Sequence, residues 1–365
     1  MPFTMSCVIC KSEIEKDDSV YFSGNCRWNS GPLVGLTAKS EEVEQMSFPQ
    51  NKQHQSMCMS LYRAILERTD WDSPRISGIV QRLPMQGLPY SVLSDPRSAR
   101  IGFHPSKLTS LDFRFWVADE YPRSSLKPGE CVGYPIHMTC WVLLGRFLGK
   151  EVLEANLSCL LKTVKQAQTT QNGRHPLHSQ TKKQTQFDVA PWLKCCSGPP
   201  SDRCEWKMSC KQMSPVVIPE LRDLIARASR HGTARAFPKC MANIPVEIRI
   251  MIVEMIYKQP GYCQARIRET KNMLRAFGWR LPDSYWQERC IPRLVFEIQD
   301  LIQAGRVVDW KYLCLGLEEL VFKYRWYAGS GLRNRARICK KIEGIRTGFQ
   351  KMLDDNRREK YILNV

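Results

Sequence analysis

The chain has 365 residues, 43% of them hydrophobic, and 54 Lys and Arg against 36 Asp and Glu give a net charge of +18. That length suits two domains with a sizeable core. The opening Met1-Pro2-Phe3-Thr4-Met5-Ser6-Cys7 has no basic stretch followed by an apolar one, and no apolar run approaches the ~18–20 residues of a membrane helix. The 16 cysteines are therefore expected to be reduced thiols, some of them metal ligands, in a cytoplasmic or nuclear protein rather than a secreted disulfide framework.

The first element in chain order is Cys7-Val8-Ile9-Cys10, a Cys-x2-Cys turn. Residues 19–36 then read as short strands broken by Gly-Asn and Gly-Pro. Residues 56–69 read as a helix, because Met57, Leu61, Ala64, Ile65 and Arg68 recur at spacings of three and four. Residues 72–135 are rich in Pro and Gly and read as irregular, with one strand expected at Leu111–Trp116.

Tyr134-Pro135-Ile136-His137-Met138-Thr139-Cys140-Trp141 runs into an apolar stretch that predicts a helix or helix pair over residues 138–162. His137 and Cys140 lie one helical turn apart and so face the same way. Two thiolates from a tight turn, with a third thiolate and an imidazole from the start of a helix, form the ligand set of a structural Zn2+ site. Cys7, Cys10, His137 and Cys140 thus fit a split treble clef, in which a knuckle and a helix are separated by a long insertion. Cys131 is a substitute ligand. The competing reading is a buried cysteine pair and an unrelated helix with a buried cysteine. No water-activating group accompanies the four ligands, so the metal reads as structural.

Residues 165–215 are polar and read as a disordered, basic linker. Cys195, Cys196, Cys204 and Cys210 fall close together there and offer a second metal site or, more plainly, loop thiols. Beyond Pro219 the pattern is helical. Leu221, Leu224, Ile225 and Ala228 form one face. The next segment carries Val246, Ile248, Ile250, Ile252, Val253, Met255 and Ile256, which is apolar nearly all round and so either central or facing a partner. In the last helix Ile338, Ile342, Ile345, Phe349 and Met352 share one face, opposite Arg337, Lys340, Lys341 and Arg346. No phosphate loop, nucleophile elbow or metal-hydrolase helix is present, and a non-enzymatic protein is expected.

Asn243-Ile244-Pro245-Val246-Glu247-Ile248 begins a helix well, since proline is free of cost in the first turn and Glu247 suits the positive end of the dipole. Ile-Pro-x-Glu-Ile ahead of an apolar series resembles the opening of an F-box, with Trp279 at the place of its late aromatic. The wider chain resembles F-box-like proteins of filamentous fungi. The shared elements are Cys7–Cys10, the Pro-Ile-His-x2-Cys-Trp run at 135–141, Leu-Pro-Asp-Ser-Tyr-Trp at 281–286, Asp-Trp-x-Tyr-Leu at 309–313 and Asn-Arg-x-Arg-Ile at 334–338. This resemblance implies a substrate adaptor of a Skp–cullin–F-box ubiquitin ligase, with Ile244, Pro245, Ile248, Ile252 and Ile256 facing a Skp-type adaptor and the rest selecting a protein target. The alternatives are a structural member of the family and, from the charge excess, a basic zinc-containing nucleic-acid-binding protein. For the latter, Arg333, Arg335, Arg337, Lys340, Lys341 and Arg346 would contact phosphates.

The expected fold is mainly α. An α+β zinc-stapled module spans residues 1–163 and the linker 164–215. An α-helical F-box-like region follows at 216–290, and a C-terminal helical domain at 291–365.

Overall fold

A computed structural model describes residues 5–16, 36–46, 57–82, 90–102, 109–115, 129–172, 210–231, 244–258, 264–290 and 294–363. The chain divides into two compact units. The first comprises residues 1–180, 211–217 and 334–365, and the second residues 181–210 and 218–333.

The first unit corrects the expected fold class, because it is built on an eight-stranded mixed sheet rather than on helices with a few short strands. The strands are β1 (Leu36–Lys39), β2 (Leu61–Arg68), β3 (Arg75–Ile76), β4 (Ile79–Gln81), β5 (Tyr90–Leu93), β6 (Ser98–Ile101), β7 (Ser110–Phe115) and β8 (Cys131–His137). Their order is β1-β6-β4-β2-β8-β7-β5, with β3 paired to β2. The β4–β6 and β7–β8 pairs are parallel and the others antiparallel.

The longest ladder joins β2 to β8 from Tyr62 opposite His137 to Arg68 opposite Cys131. Both strands are central, and all of β8 and most of β2 are buried. A strand buried on both faces shows no alternation and reads as a continuous apolar run. That is why the segment 56–69 mimics a helix. Only Met57–Ser60 is helical, and Leu61–Arg68 is strand. The short strands β3 to β6 carry too few residues for a pattern to show, whereas β7 lies where a strand is expected. The strands expected at residues 19–35 lie outside the described residues.

Gly133 is required by its neighbour. A Cβ built there would fall 2.0 Å from the Phe113 ring, so the ring occupies the space a side chain would need. Short helices α1 (Ser40–Glu44) and α2 (Met57–Ser60) close one side of a core containing Val43, Met57, Leu61, Ile79, Ala99, Ile101 and Met138. After β8 the chain enters α3 (Met138–Leu148), α4 (Lys150–Ala155) and α5 (Leu157–Asn172), so the expected helix pair is three helices. Residues 173–209, most of the expected linker, lie outside the described residues.

The second unit holds α6 (Pro219–His231), α7 (Val246–Lys258), α8 (Gln264–Ala276), α9 (Asp283–Arg289), α10 (Phe296–Gln303), α11 (Trp310–Phe322) and α12 (Tyr324–Gly329). Here lies a second correction. Residues 216–290 are not a self-contained helical F-box region, because α6, α8 and α9 all pack on α11, which lies beyond that range. Helix α8 ends in a Schellman motif: Gly278 has φ of 62° and donates to the Arg275 carbonyl, and Trp279 donates to the Leu274 carbonyl.

A polar network crosses this unit's core. Arg289 bonds Glu318 at 2.9 Å and Glu254 at 3.1 Å, Tyr257 donates to Glu318 at 3.2 Å, and Tyr285 donates to Glu254 at 2.7 Å. The guanidinium of Arg289 also lies 3.3 Å from the centroid of the Tyr257 ring.

The long final helix α13 (Gly331–Leu363) buries Ile338, Ile342, Ile345 and Phe349 as its period requires. Its residues from 334 onward belong to the first unit.

Candidate metal centre

The first turn of the described chain is a knuckle. The Cys7 N–H donates to the Ser12 carbonyl, the Lys11 N–H to the Cys7 carbonyl and the Ile14 N–H to the Met5 carbonyl, while Ser6 pairs with Glu13. Lys11 takes φ of 61°, a left-handed conformation that lets the chain turn back immediately after Cys10. The knuckle is fixed to the sheet by the Val8 N–H, which donates to the Pro135 carbonyl of β8 at 2.9 Å. Arg82 also donates to the Ile14 carbonyl.

The strand β8 ends at His137, and α3 begins at the next residue, so Cys140 sits in the first turn of that helix. The ligand atoms of Cys7, Cys10, His137 and Cys140 all lie within 4.8 Å of one another, and all four residues are buried. This buried three-cysteine, one-histidine cluster can hold a metal ion. The Cys10 Sγ lies 3.4 Å from Nδ1 of His137, 127 positions away in sequence. Tetrahedral bonds of about 2.3 Å to sulfur and about 2.0–2.1 Å to nitrogen imply a sulfur–nitrogen separation of about 3.5 Å.

The other ring nitrogen, Nε2, lies 3.1 Å from the Glu13 carbonyl. With its proton there, Nε2 donates to that carbonyl and leaves the Nδ1 lone pair facing the sulfurs, an outer-shell bond of the kind that orients metal-binding histidines. The backbone N–H of His137 also points at the Cys7 Sγ, at 3.4 Å.

The four side chains perturb one another strongly. Hydrogen bonds from Cys140 and Cys7 hold the Cys10 thiol far below the usual thiol range, and the bond to Cys10 pushes Cys140 well above it. Burial alone would lower His137, but the charge of Cys7 and hydrogen bonds to Cys10 and Cys7 overcome it and hold the imidazole at about 10. A cation held by these groups would favour the deprotonated thiols and the neutral imidazole. Lys11 beside it is lowered to about 8, chiefly by burial.

Cys131, the substitute ligand, begins β8 opposite Arg68 and is not part of the cluster; burial pushes its thiol up to about 11. Of the second set, Cys210 is buried, and Cys195, Cys196 and Cys204 lie outside the described residues. The Glu13 carbonyl and the left-handed Lys11 went unnoticed in the sequence, since backbone groups leave no residue-type signal.

The expected partner residues lie in and beside α7. Pro245 and Ile248 are exposed, and Ile244, Ile252 and Ile256 are half-buried. Met251 and Met255, not among the expected contacts, are the most open at 60% and 65%, with Ile248 at 43%. The basic face expected at 333–346 is partly spent within the protein. Arg335 is fully buried and donates to the Pro215 and Val216 carbonyls at 2.6 and 3.0 Å, and Arg337 bonds Asn334. Among the described residues, no helix is long and apolar enough to cross a membrane. No protein-family model, curated protein or solved structure matches the chain.

Proposed function

We propose that the chain is a non-enzymatic recruitment scaffold. A structural zinc ion locks its N-terminal module, and α7 docks a partner protein. The observation that carries the recruitment reading is the apolar stripe of Ile248, Met251 and Met255, at spacings of three and four along one side of α7 and open to solvent. Only Val253 and Tyr257 of that helix are buried among its described side chains. Such a stripe favours burial against another protein, at up to ~1.5–3 kcal/mol for each side chain taken from water. The F-box-like resemblance supplies the partner, a Skp-type adaptor of a cullin-RING ligase. This role rests on the face of α7 and needs no helical F-box fold around it.

Zinc is the metal of this reading because three thiolates and an imidazole are soft to borderline ligands that suit it and disfavour magnesium or calcium. Four protein ligands leave no open position for substrate, which makes the ion structural.

The test is co-expression with a Skp-type adaptor. Wild-type protein is expected to co-purify with it. The Met251→Glu, Met255→Glu double variant should lose the complex at unchanged melting temperature, because both positions face solvent. A folded wild type that fails to bind the adaptor refutes the recruitment reading. Much less than one zinc per chain, in protein purified without chelator, refutes the metal.

A further inference from the structure

The last helix carries a cationic strip that neither proposed role uses. Along α13, Lys340, Gly344, Thr347 and Lys351 recur at spacings of four, three and four on the side opposite the buried Ile338, Ile342, Ile345 and Phe349, and all four are exposed. Lys341 is exposed beside them. Lys11 of the knuckle lies close enough to Lys341 for the two charges to repel. Arg337 ties the strip to the knuckle by donating to the Ser12 hydroxyl at 3.3 Å. Among the described residues, none of the ammonium groups of Lys11, Lys340, Lys341 and Lys351 pairs with a carboxylate; the lysines that do so are Lys150, Lys165 and Lys271. The acid that falls between positions 337 and 351 is Glu343, which is half-buried and faces Arg346 at 3.6 Å. Like charges gathered without counter-charges repel, and a polyanion relieves them. Gly344 keeps the strip low between its lysines, since a Cβ there would meet nothing within 4 Å.

The make-up of the strip selects among polyanions. A protein interface is anchored by aromatic, Arg or large apolar side chains, and no large apolar side chain is exposed among the described residues of α13. A helix that lies in a membrane surface needs a free apolar face, and the apolar face of α13 is buried. Single strands stack their bases on aromatic rings, which the strip lacks. Duplex RNA is held largely through its 2′-hydroxyls, for which the strip offers one hydroxyl, that of Thr347. Point charges set along a rod match the phosphates of a DNA duplex. From Lys340 to Lys351 the helix rises about 17 Å, the length of about five base pairs.

We infer that the face of α13 from Lys340 to Lys351, together with Lys11, binds the phosphate backbone of duplex DNA without regard to sequence. Because its apolar side is packed in the first unit, α13 lies along the backbone and does not enter the major groove, where bases are read. The structure thus moves the basic face from the residues around 333–337, whose arginines bond within the protein, to the lysines that follow. The inference is independent of the recruitment reading, which rests on α7.

Fluorescence anisotropy of a labelled DNA duplex of about 20 base pairs, titrated with the full chain between ~50 and ~200 mM salt, tests it. Four neutralised phosphates give a slope of about −3.6 in log affinity against log salt, and so about a hundredfold loss of affinity across that range. The Lys340→Gln, Lys341→Gln, Lys351→Gln variant should bring the slope to about −1. The Arg222→Gln, Arg227→Gln, Arg230→Gln variant removes the same charge from α6 and should keep the affinity within ~twofold of wild type. All six positions are exposed. Melting curves check each fold, and Lys340→Gln alone, expected to lower the slope by about 0.9, replaces a triple variant that unfolds. No binding at ~50 mM salt with ~50 μM protein overturns the inference. Equal weakening by the two triple variants overturns it as well, because net charge and not this face would then hold the duplex. Poly-glutamate bound as tightly as the duplex overturns it in favour of an acidic protein partner, and tighter binding of duplex RNA overturns the choice of DNA.

Discussion

Cys140→Ser removes one metal ligand at almost no change in volume, so it isolates the contribution of the metal from that of packing. A metal ion held there would staple the knuckle at Cys7 and Cys10 to the β8–α3 junction across 127 sequence positions. In the chain-entropy treatment, a cross-link closing a loop of that length removes about 16 cal/mol/K from the unfolded ensemble, or about 5 kcal/mol at 25 °C. That is a large share of the ~5–15 kcal/mol that holds a typical domain folded. Relieved repulsion among buried thiolates adds to it, and residual structure in the unfolded chain subtracts from it. The assay is urea unfolding followed by circular dichroism, with zinc content measured on the same samples. A loss of about 5 kcal/mol lowers the midpoint of the first unit by roughly 2 M. Wild-type protein treated with chelator should fall to the same midpoint, because both routes empty the same site. A Cys140→Ser protein that carries no zinc yet unfolds within ~0.3 M of wild type would refute the reasoning, since the backbone bonds of the knuckle would then hold the module unaided.

Two further outcomes follow from the same geometry and from the second unit. The neighbouring cysteines raise His137 to about 10 and Cys140 well above the usual thiol range, so zinc binding at pH 7, as proposed, would expel protons from both. Apparent affinity should therefore fall as pH falls, by about tenfold per pH unit for each proton released, and competition with a chelator at pH 6 and pH 8 measures it. Glu318→Ala strips Arg289 of a buried partner in the network with Tyr257 and Glu254, and should cost about 3–5 kcal/mol in denaturant unfolding. Glu318→Gln keeps an acceptor and should cost less.

The four residues of the candidate metal cluster were legible because their chemistry is written in residue types. Few arrangements other than a metal site want Cys-x2-Cys and His-x2-Cys at the start of a helix, and the structure brings all four residues together. The sheet was hidden for the opposite reason. The residues Leu61, Tyr62, Ala64, Ile65 and Leu66 of β2 are buried on both faces, so neither alternation nor polarity marks them as strand. Their partner β8 lies some seventy positions away, and a long-range pairing leaves no local trace. The periodicity of α13 was plain because one face is buried and the other is wet, whereas the segment 246–258 is apolar on every side. Which side of it is open is decided by packing, and Met251 and Met255 rather than the isoleucines proved the most open.

The position of the proposed staple says what a bound metal would measure. Half of the cluster is carried on a knuckle of residues 5–14, too short to bury much alone, and the other half at the junction where the most buried strand, ending at His137, passes into the first turn of α3 at Cys140. The site is therefore complete only when β8 lies correctly in the sheet, and zinc binding, as proposed, would support sheet formation to the same extent that the sheet supports it. Gly133→Ala tests this coupling at a distance from the ligands. Its added methyl meets the Phe113 ring on the neighbouring strand, an overpacking that costs about 1–3 kcal/mol. With zinc bound, the module should remain folded and lose only a little of its melting temperature. With zinc removed, that cost and the lost staple fall on the same sheet. The chelated variant should then unfold at clearly lower urea than chelated wild type. Phe113→Leu in the same chain should recover part of the difference by making room for the methyl. Coincident curves for the two chelated proteins would show that the sheet and the metal centre stand independently.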